Sequence, residues 1–308
     1  MLGVKQKLIY KAFGLTVASD LYFPELVMMS EQLELIDIEI KIDDITNLYF
    51  ELSDGPNKFV VNENLVMFQI SDIATFSIQD GKKITVSPMK DADEDQIRLL
   101  ILGTCMCSIL MQRKILPLHG SSIAINGKAY AFIGDSGAGK STLASAFLSE
   151  GFNILSDDII AVSFSKDGFP IVTPSYPQQK LWQDSLNNFG MEANNFRSIF
   201  GRETKYSVPV TSGYVSTQLP LAGIFELVIS ENKDTKLRKI ENLERFSTLF
   251  THTFRNFLLR DLGLMDWHFH TTAGILNKID IYQLQRPIYG FSATQLVSII
   301  LNAVNKGD

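Results

Sequence analysis

Short runs of β-branched and aromatic residues, separated by turn residues, fill the first third of the chain. Runs of this kind, bounded by Gly, Pro, Asn or Asp, are typical of strands. The expected strands lie at residues 15–17, 36–42, 59–61, 65–70, 75–78 and 84–86, and the clearest turns at 54–57 and 80–81. The pattern predicts an antiparallel, strand-rich N-terminal domain over residues 1–92.

An acidic segment at residues 91–95 precedes a mostly apolar stretch that extends to Lys114. Carboxylates favour a helix N-terminus because they interact with the helix dipole. We therefore expect a connecting helix over residues 93–114, followed by a second domain over residues 115–308. The longest apolar run of this helix, residues 99–111, falls short of the about 20 residues that a membrane-spanning helix needs.

The pattern changes after residue 115. Residues 121–133 alternate around Asn126-Gly127, a pair that favours a tight hairpin turn. Further along we expect a helix at 140–150, a strand at 152–164, a return strand at 170–174, helices at 181–189, 241–261 and 293–304, and a strand at 222–229. Strands joined by hairpins and mixed with helices predict an α/β fold of α+β character, built on a mixed sheet.

Residues 134–142 match the phosphate-binding pattern G-x-x-x-x-G-K-[S/T] and lie between an apolar strand and a helix. The expected nucleotide-binding residues are Gly134, Asp135, Ser136, Gly137, Ala138, Gly139, Lys140, Ser141 and Thr142. In such a loop the backbone N–H groups surround the β-phosphate, the lysine attracts the β- and γ-phosphates, and the serine hydroxyl completes a Mg²⁺ shell. The loop predicts a nucleoside triphosphate ligand, ATP, with Mg²⁺.

The composition narrows the possible partners. The chain has 308 residues, 45% of them hydrophobic and 20% charged, enough for about two domains. Its net charge of −6 and pI of about 5.3 argue against a nucleic-acid partner. Residues 1–14 contain no apolar secretory segment, so we expect a cytoplasmic protein without a membrane partner. Cys105 and Cys107 lie two residues apart on the expected helix and are interpreted as buried free thiols.

Asp157 and Asp158 interrupt the apolar strand expected at residues 152–164. Burying a charge without a partner is costly, so a metal ion or an active-site cleft is expected nearby. Consecutive strand residues face opposite sides. We assign Asp157 to Mg²⁺ together with Ser141, and Asp158 to the acceptor hydroxyl as candidate base. The alternative is that one carboxylate caps a turn and the other is solvated.

Several basic residues are further candidates. His119 lies 21 residues before Lys140, at the start of the first hairpin strand, where we expect it beside the loop as a candidate catalytic residue. Candidate contacts to phosphate or to an acidic peptide are Lys180, Arg202, Lys205, Arg255 and Arg286. For each of these the alternative is an ordinary solvated charge. Lys180 is the best placed, because it follows the strand expected to pair with the Asp-bearing one.

Residues 266–270 alternate acidic or histidine side chains with aromatic ones. In a strand, Asp266, His268 and His270 would share one face, as a metal site requires. We retain this segment as a weaker candidate metal site.

The Leu-His-Gly segment at 118–120, the loop at 134–141 and the Asp157-Asp158 pair together resemble the catalytic domain of the HPr kinase/phosphorylases. The resemblance covers about residues 115–165. It implies a phosphate-loop domain related to phosphoenolpyruvate carboxykinase, a protein serine as acceptor, and Asp158 as proton acceptor. It also implies functional roles for His119 and Lys140, and metal binding by Ser141.

Other segments resemble a particular branch of this family. Thr142 stands where the bifunctional enzymes usually carry Glu, and the N-terminal region looks unlike theirs. Residues 174–177, 180–182 and 282–287 look like the HPr-kinase-like proteins encoded with peptide-tailoring genes, including kinases that phosphorylate a serine of lasso-peptide precursors. This resemblance implies a peptide substrate, with the N-terminal domain either recognising the peptide or acting as a scaffold.

These inferences converge on an ATP- and Mg²⁺-dependent serine kinase that acts on a peptide or small protein. Two alternatives stay open. One is a small-molecule kinase of the shikimate-kinase type, whose loop is likewise followed by an acidic pair. The other is a nucleotide-binding regulatory module without transfer activity.

Overall fold

The computed structural model describes residues 7–30, 35–199, 202–232 and 234–305. The chain divides into two compact units. The first comprises Met1–Leu116 and Arg255–His268, and the second comprises Pro117–Phe254 and Phe269–Asp308. The sequence-based boundaries placed everything after residue 114 in one domain, whereas residues 255–268 belong with the first unit.

The first unit is built on one eight-stranded sheet. Its elements before residue 116 are β1 (Leu8–Ala12), β2 (Leu15–Ser19), β3 (Val27–Met28), β4 (Ile38–Ile42), α1 (Thr46–Leu52), β5 (Phe59–Asn62), β6 (Leu65–Ile70), β7 (Ala74–Gln79), β8 (Lys83–Pro88), α2 (Glu94–Leu100), a π-helical turn (Ile101–Cys105) and α3 (Met106–Gln112). Large side chains such as Tyr10, Phe68 and Phe76 are fully buried and form its core.

The strand order in this sheet is β3-β1-β2-β4-β8-β7-β6-β5, and it corrects the expected antiparallel meander. The outer pairs are antiparallel, but β4 is parallel to both β2 and β8. Antiparallel neighbours can be joined by a tight turn, whereas parallel neighbours need a longer crossover connection. Between β4 and its parallel neighbour β8, that connection consists of α1 and the strands β5, β6 and β7.

The expected helix at 93–114 appears as α2, the π-helical turn and α3. The Asp93 side chain caps α2 by accepting a hydrogen bond from the Asp95 N–H at 2.7 Å. Cys105 and Cys107 are fully buried thiols that form no disulfide within the described residues, and burial raises the pKa of both. The interpretation of these cysteines as buried thiols is confirmed.

The remaining elements follow in chain order. They are β9 (Leu116–Ile125), β10 (Lys128–Gly134), α4 (Lys140–Ser149), β11 (Asn153–Ser156), β12 (Ile159–Phe164), β13 (Pro170–Thr173), β14 (Gln178–Trp182), α5 (Gln183–Asn188), a 3₁₀ turn (Ala193–Asn195), β15 (Arg197–Ile199), β16 (Arg202–Pro209), β17 (Leu219–Ser230), β18 (Lys236–Lys239), α6 (Glu244–Thr251), α7 (Leu258–Asp261), α8 (Met265–Leu276), β19 (Asp280–Pro287) and α9 (Ala293–Asn305). Of these, α7 and the first residues of α8 belong to the first unit.

The main sheet of the second unit is mixed, so the expected mixed α/β fold is confirmed. Its order is β10-β9-β12-β13-β17-β19-β18, and β10 also pairs with β17, which closes a circuit of five strands. The β10–β17 and β17–β19 pairs are parallel, so these three strands end at the same edge. Helices α4 and α9 pack on a core that includes Phe132, Phe147 and Phe225.

Two predicted helical or metal-binding segments are corrected. The helix expected at 241–261 is two short helices, because residues 252–254 leave the helix and pair with residues 117–119: the N–H of His119 donates to His252 O, and the N–H of Phe254 donates to Pro117 O, both at 2.8 Å. Residues 266–270 are helical instead of extended. Asp266, His268 and His270 therefore do not share a strand face, and across the described ranges no cluster of three His, Cys, Asp or Glu residues suits a metal ion.

The helices of the described ranges are all too short or too polar to cross a membrane.

The closeness of β9 and β10 allows a test of packing in the second unit. A Cβ at Gly120 would overlap the carbonyl oxygen of Phe132, so we expect Gly120→Ala to lower the free energy of unfolding by about 1–3 kcal/mol. Gly103 is the matched control, because a Cβ there meets no atom within 4 Å and alanine favours a helix. Urea unfolding of both variants measures the difference. Equal stabilities would contradict the described approach of the two strands.

Candidate active site

The phosphate loop connects β10 to α4 through three glycines with positive φ. The φ angles of Gly134, Gly137 and Gly139 are +145°, +86° and +101°, a region that other residues rarely adopt. A Cβ at Gly134 would also lie only 2.5 Å from Leu227 O. The glycines of the motif are therefore needed by the backbone path itself, which leads directly into the first turn of a ten-residue helix.

The Lys140 side chain lies back across the loop. Its Nζ donates to Gly134 O at 2.8 Å and to Asp135 O at 2.9 Å. Burial lowers the pKa of Lys140 to about 8, and the Asp157 and Asp158 carboxylates oppose this shift. The ammonium thus donates to two backbone carbonyl oxygens, in the place where the oxygens of a bound phosphate would accept instead.

Asp157 and Asp158 lie in a break between β11 and β12, which corrects the single strand expected at 152–164. Asp158 has φ +74°, a strained conformation for a residue other than glycine. The alternation of faces expected for a continuous strand does not hold here. Instead, both carboxylates bind Lys180, Asp157 through the backbone N–H and Asp158 through the side chain.

Asp157 links the phosphate loop to β9 and β14. Its Oδ1 accepts from Ser141 Oγ at 2.9 Å and from Ser121 Oγ at 2.5 Å, and its Oδ2 accepts from the Lys180 N–H at 2.7 Å. The carboxylate is only 4% exposed. Ser121 was missed by the sequence analysis, although its position two residues after His119 on the same strand places both on one face.

Asp158 forms a largely buried ion pair with Lys180, in which 19% and 12% of the two side chains are exposed. The Nζ and Oδ2 atoms lie 2.6 Å apart. Burial alone would raise the pKa of Asp158, but the Lys180 ammonium more than offsets it, so this pKa lies well below its usual range. Burial likewise would lower the pKa of Lys180, and Asp158 raises it instead. Asp158 is therefore anionic at neutral pH.

His119 contacts the backbone of Asp158. Its Nδ1 lies 3.1 Å from Asp158 O, and 3.8 Å from the Oδ1 atom of the same residue. Because a carbonyl oxygen only accepts, this hydrogen bond assigns the proton to Nδ1 and leaves the lone pair on Nε2. Burial and the nearby Lys140 charge lower the pKa of His119, which is consistent with a neutral ring.

Hydrogen bonds connect the backbone of His119 to a second set of polar residues, His252, Glu226 and Gln283. His252, whose carbonyl accepts from the His119 N–H, has its Nε2 3.0 Å from Glu226 Oε1. Gln283 Nε2 donates to the other oxygen of Glu226 at 2.7 Å. Burial would raise the pKa of Glu226, but the hydrogen bonds from His252 and Gln283 lower it. These residues are far apart in sequence and carry no motif, so no local pattern reveals them.

The other predicted contacts have different surroundings. The Lys205 Nζ atom lies over the Trp182 ring, 5.5 Å from the ring centre. Its positive charge lowers the pKa of both Lys140 and Asp158. Arg202 lies in β16, but its side chain falls outside the described part of the structure. Arg255 belongs to the first unit, where it donates to Thr104 Oγ1 at 3.1 Å.

Thr142, at the end of the phosphate-binding motif, points to the start of α5. Its Oγ1 lies 2.7 Å from Ser185 Oγ. The side chain therefore connects α4 to a neighbouring helix, while the adjacent Ser141 hydroxyl is the one that reaches Asp157.

Comparison with known proteins supports the resemblance drawn from the motifs. The HPr kinase/phosphorylase of Bordetella avium (strain 197N) is 27% identical over 141 residues, 43% of this chain and 44% of the relative. That of Azoarcus sp. (strain BH72) is 35% identical over 107 residues, 35% of this chain and 31% of the relative. The chain thus spans less than half the length of these curated relatives. No protein-family model matches it.

Among solved structures, the Hpr(Ser) kinase/phosphatase from Coxiella burnetii aligns with a TM-score of 0.34 and 13% sequence identity, over 62% of this chain and 97% of that one. The similarity to HPr kinase/phosphorylases therefore rests on the sequences of the two relatives from Bordetella avium and Azoarcus sp.. The peptide-tailoring branch stays a prediction.

The ion pair between Asp158 and Lys180 predicts a stability loss with a defined pH dependence. Lys180→Met leaves a buried carboxylate without its cation, so we expect the free energy of unfolding to fall by about 3–5 kcal/mol at pH 7. The lowered pKa of Asp158 stabilises the fold above the unfolded value of about 3.9, and this contribution is lost as the pH falls towards the folded value. The raised pKa of Lys180 stabilises the fold below about 10.4, and that contribution is lost only at higher pH.

Without Lys180, burial raises the pKa of Asp158, so the carboxyl of the variant takes up a proton as the pH falls. The loss in Lys180→Met should therefore be largest near pH 9 and shrink steadily towards about pH 4. Urea unfolding across this range measures it. The Asp158→Asn/Lys180→Met double variant is the control, because it removes the unpaired charge and should recover part of the stability. A double variant no more stable than Lys180→Met would contradict the ion pair.

Proposed function

We propose that the protein is an ATP- and Mg²⁺-dependent kinase that transfers the γ-phosphoryl group to a serine hydroxyl of a peptide or small protein. One observation carries the proposal: two adjacent carboxylates near the phosphate loop have different partners. Asp157 binds the loop hydroxyl of Ser141, and Asp158 is held anionic beside His119. A metal-binding and an acceptor-binding carboxylate at one loop is what phosphoryl transfer requires.

The donor set around Ser141 fits Mg²⁺. This ion prefers oxygen ligands and is commonly held by one or two carboxylates together with substrate phosphates and water. Ser141 Oγ and Asp157 Oδ1 already lie 2.9 Å apart and offer such oxygens. When bound, Mg²⁺ neutralises charge on the β- and γ-phosphates. Ser121 and the Lys180 N–H keep the Asp157 carboxylate oriented.

Lys140 and the loop N–H groups are the phosphate ligands in this proposal. The lysine moves from the carbonyl oxygens of Gly134 and Asp135 to the phosphate oxygens. This exchange is favourable because charge-assisted hydrogen bonds to an anion are stronger than those to a neutral carbonyl.

Asp158 orients the acceptor hydroxyl and accepts its proton. With a lowered pKa it is a weak base, but the loose transition state of phosphoryl transfer requires little deprotonation before the bond to phosphorus forms. Lys180 fixes one carboxylate oxygen, and His119 together with the Gly120 N–H binds the Asp158 carbonyl. The strained backbone is thus held in the orientation that presents the carboxylate.

We extend the proposal to a ribosomal peptide precursor as the acceptor, specifically a lasso-peptide precursor, acting in the cytoplasm. Its support is the resemblance of residues 174–177, 180–182 and 282–287 to peptide-tailoring kinases. The relatives are named for phosphorylating HPr, which is consistent with a protein or peptide substrate. The strand-rich first unit is the candidate for peptide recognition.

The decisive experiment incubates candidate precursor peptides with ATP, Mg²⁺ and the protein and measures their mass. We expect a gain of one phosphate or more on serine. Asp158→Asn should abolish transfer but retain nucleotide binding, because the amide preserves the side-chain shape and removes the charge. Asp167→Asn, in the β12–β13 turn, is the matched control with full activity expected. Full activity of Asp158→Asn would remove this residue from the mechanism.

Parallel assays of ADP release with small alcohols test the rival small-molecule kinase. Release with an alcohol and none with any peptide would replace the peptide substrate. Nucleotide binding without transfer to either class would favour a regulatory module.

The assignment of the metal ligands predicts a changed Mg²⁺ requirement. Asp157→Asn and Ser141→Ala each remove one of the two proposed protein ligands. We therefore expect the Mg²⁺ concentration that gives half-maximal activity to rise at least about tenfold in each variant. A Mg²⁺ titration of the transfer rate at saturating ATP measures the shift. An unchanged requirement in both variants would contradict the assignment.

A further inference from the structure

Arg286 binds two carbonyl oxygens of the phosphate loop that Lys140 does not contact. Its Nε donates to Ala138 O at 2.7 Å, and its Nη2 donates to Gly137 O at 3.2 Å. Lys140 holds the first two carbonyls of the loop, those of Gly134 and Asp135. Two cations therefore share the carbonyl oxygens of one short loop.

The sheet topology brings Arg286 to this position. β10, β17 and β19 are parallel neighbours, and the loop begins at the end of β10 while Arg286 lies at the end of β19. The Nη1 atom donates to Pro287 O at 3.0 Å, which fixes the guanidinium plane. A Cβ at Gly139 would lie 3.3 Å from Arg286 Nε, so the last glycine of the motif also leaves room for the guanidinium.

The geometry of the peptide unit gives these hydrogen bonds a consequence. The C=O and N–H of one trans peptide unit point in opposite directions. By binding Gly137 O and Ala138 O, Arg286 fixes the two peptide units that carry the N–H groups of Ala138 and Gly139. The Ala138 N–H now donates to Asp135 O at 3.1 Å, the same acceptor that Lys140 uses. The Ala138 N–H is thus directed towards the interior of the loop, and the Gly139 N–H points away from the guanidinium.

We propose that Arg286 is a positioning residue of the nucleotide site. It fixes the last peptide units of the loop while Lys140 leaves the carbonyls of Gly134 and Asp135 for the phosphates. It also supplies a fixed positive charge next to the carbonyl oxygens of Gly137 and Ala138. The inference rests on the proposed function only in requiring that the loop binds a nucleotide. Arg286 itself contacts protein atoms and acts through the loop N–H groups.

Calorimetric titration with Mg-ADP tests the role. Arg286→Gln should weaken binding about tenfold or more, because it removes charge-assisted hydrogen bonds that orient the phosphate donors. Arg286→Lys keeps the charge and loses the two-nitrogen contact, so its affinity should lie between those of Arg286→Gln and the wild type. The ³¹P resonance of the bound β-phosphate should shift in Arg286→Lys, a change that lost stability alone does not produce.

Arg113→Gln is the matched control. Arg113 also donates to backbone carbonyls, those of Gly81 and Asp37, but within the first unit. It should lose stability in urea and keep the wild-type affinity for Mg-ADP.

Wild-type affinity in Arg286→Gln, or an equal loss of affinity in Arg113→Gln, would overturn the role of Arg286 and leave the proposed kinase activity standing. Failure of the wild-type protein to bind Mg-ADP would overturn both.

Discussion

The burial of Asp157 and Asp158 beside the phosphate loop is the constraint on which the rest of the site depends. Two adjacent carboxylates removed from water are stable only with cations and hydrogen-bond donors around them. Lys180 supplies a cation and a backbone donor, and Ser121 and Ser141 supply hydroxyls. The positions of β9, β14 and α4 relative to one another follow from satisfying this pair.

The same arrangement divides the chemistry between the two carboxylates. Asp157 accepts from neutral hydroxyl and amide groups, which is why it is the carboxylate proposed for Mg²⁺. Asp158 instead has a permanent cation, which keeps it ionised but lowers its basicity. Environment alone therefore distinguishes two identical neighbouring side chains, and the roles proposed for them follow from that difference.

Local patterns predicted much of this architecture, and non-local contacts account for what they missed. The hairpin at Asn126-Gly127 and the helix after the phosphate loop follow from turn chemistry and the motif, so their places were predictable. The break at Asp157-Asp158 was not, because it depends on Lys180 and Ser121 on other strands. The parallel pairing of β4, the partnership of His252 with Glu226, and the placement of residues 255–268 likewise depend on residues distant in sequence.

The closed circuit of strands has a consequence for dynamics. β10, which ends in the phosphate loop, is hydrogen-bonded along both edges, to β9 and to β17. A strand without a free edge slides or frays only by breaking two ladders at once, so its amide protons belong among the slowest to exchange with solvent. The Lys140 side chain, in contrast, can change its partners by rotation alone, which is far faster than any opening of the strands that support the loop.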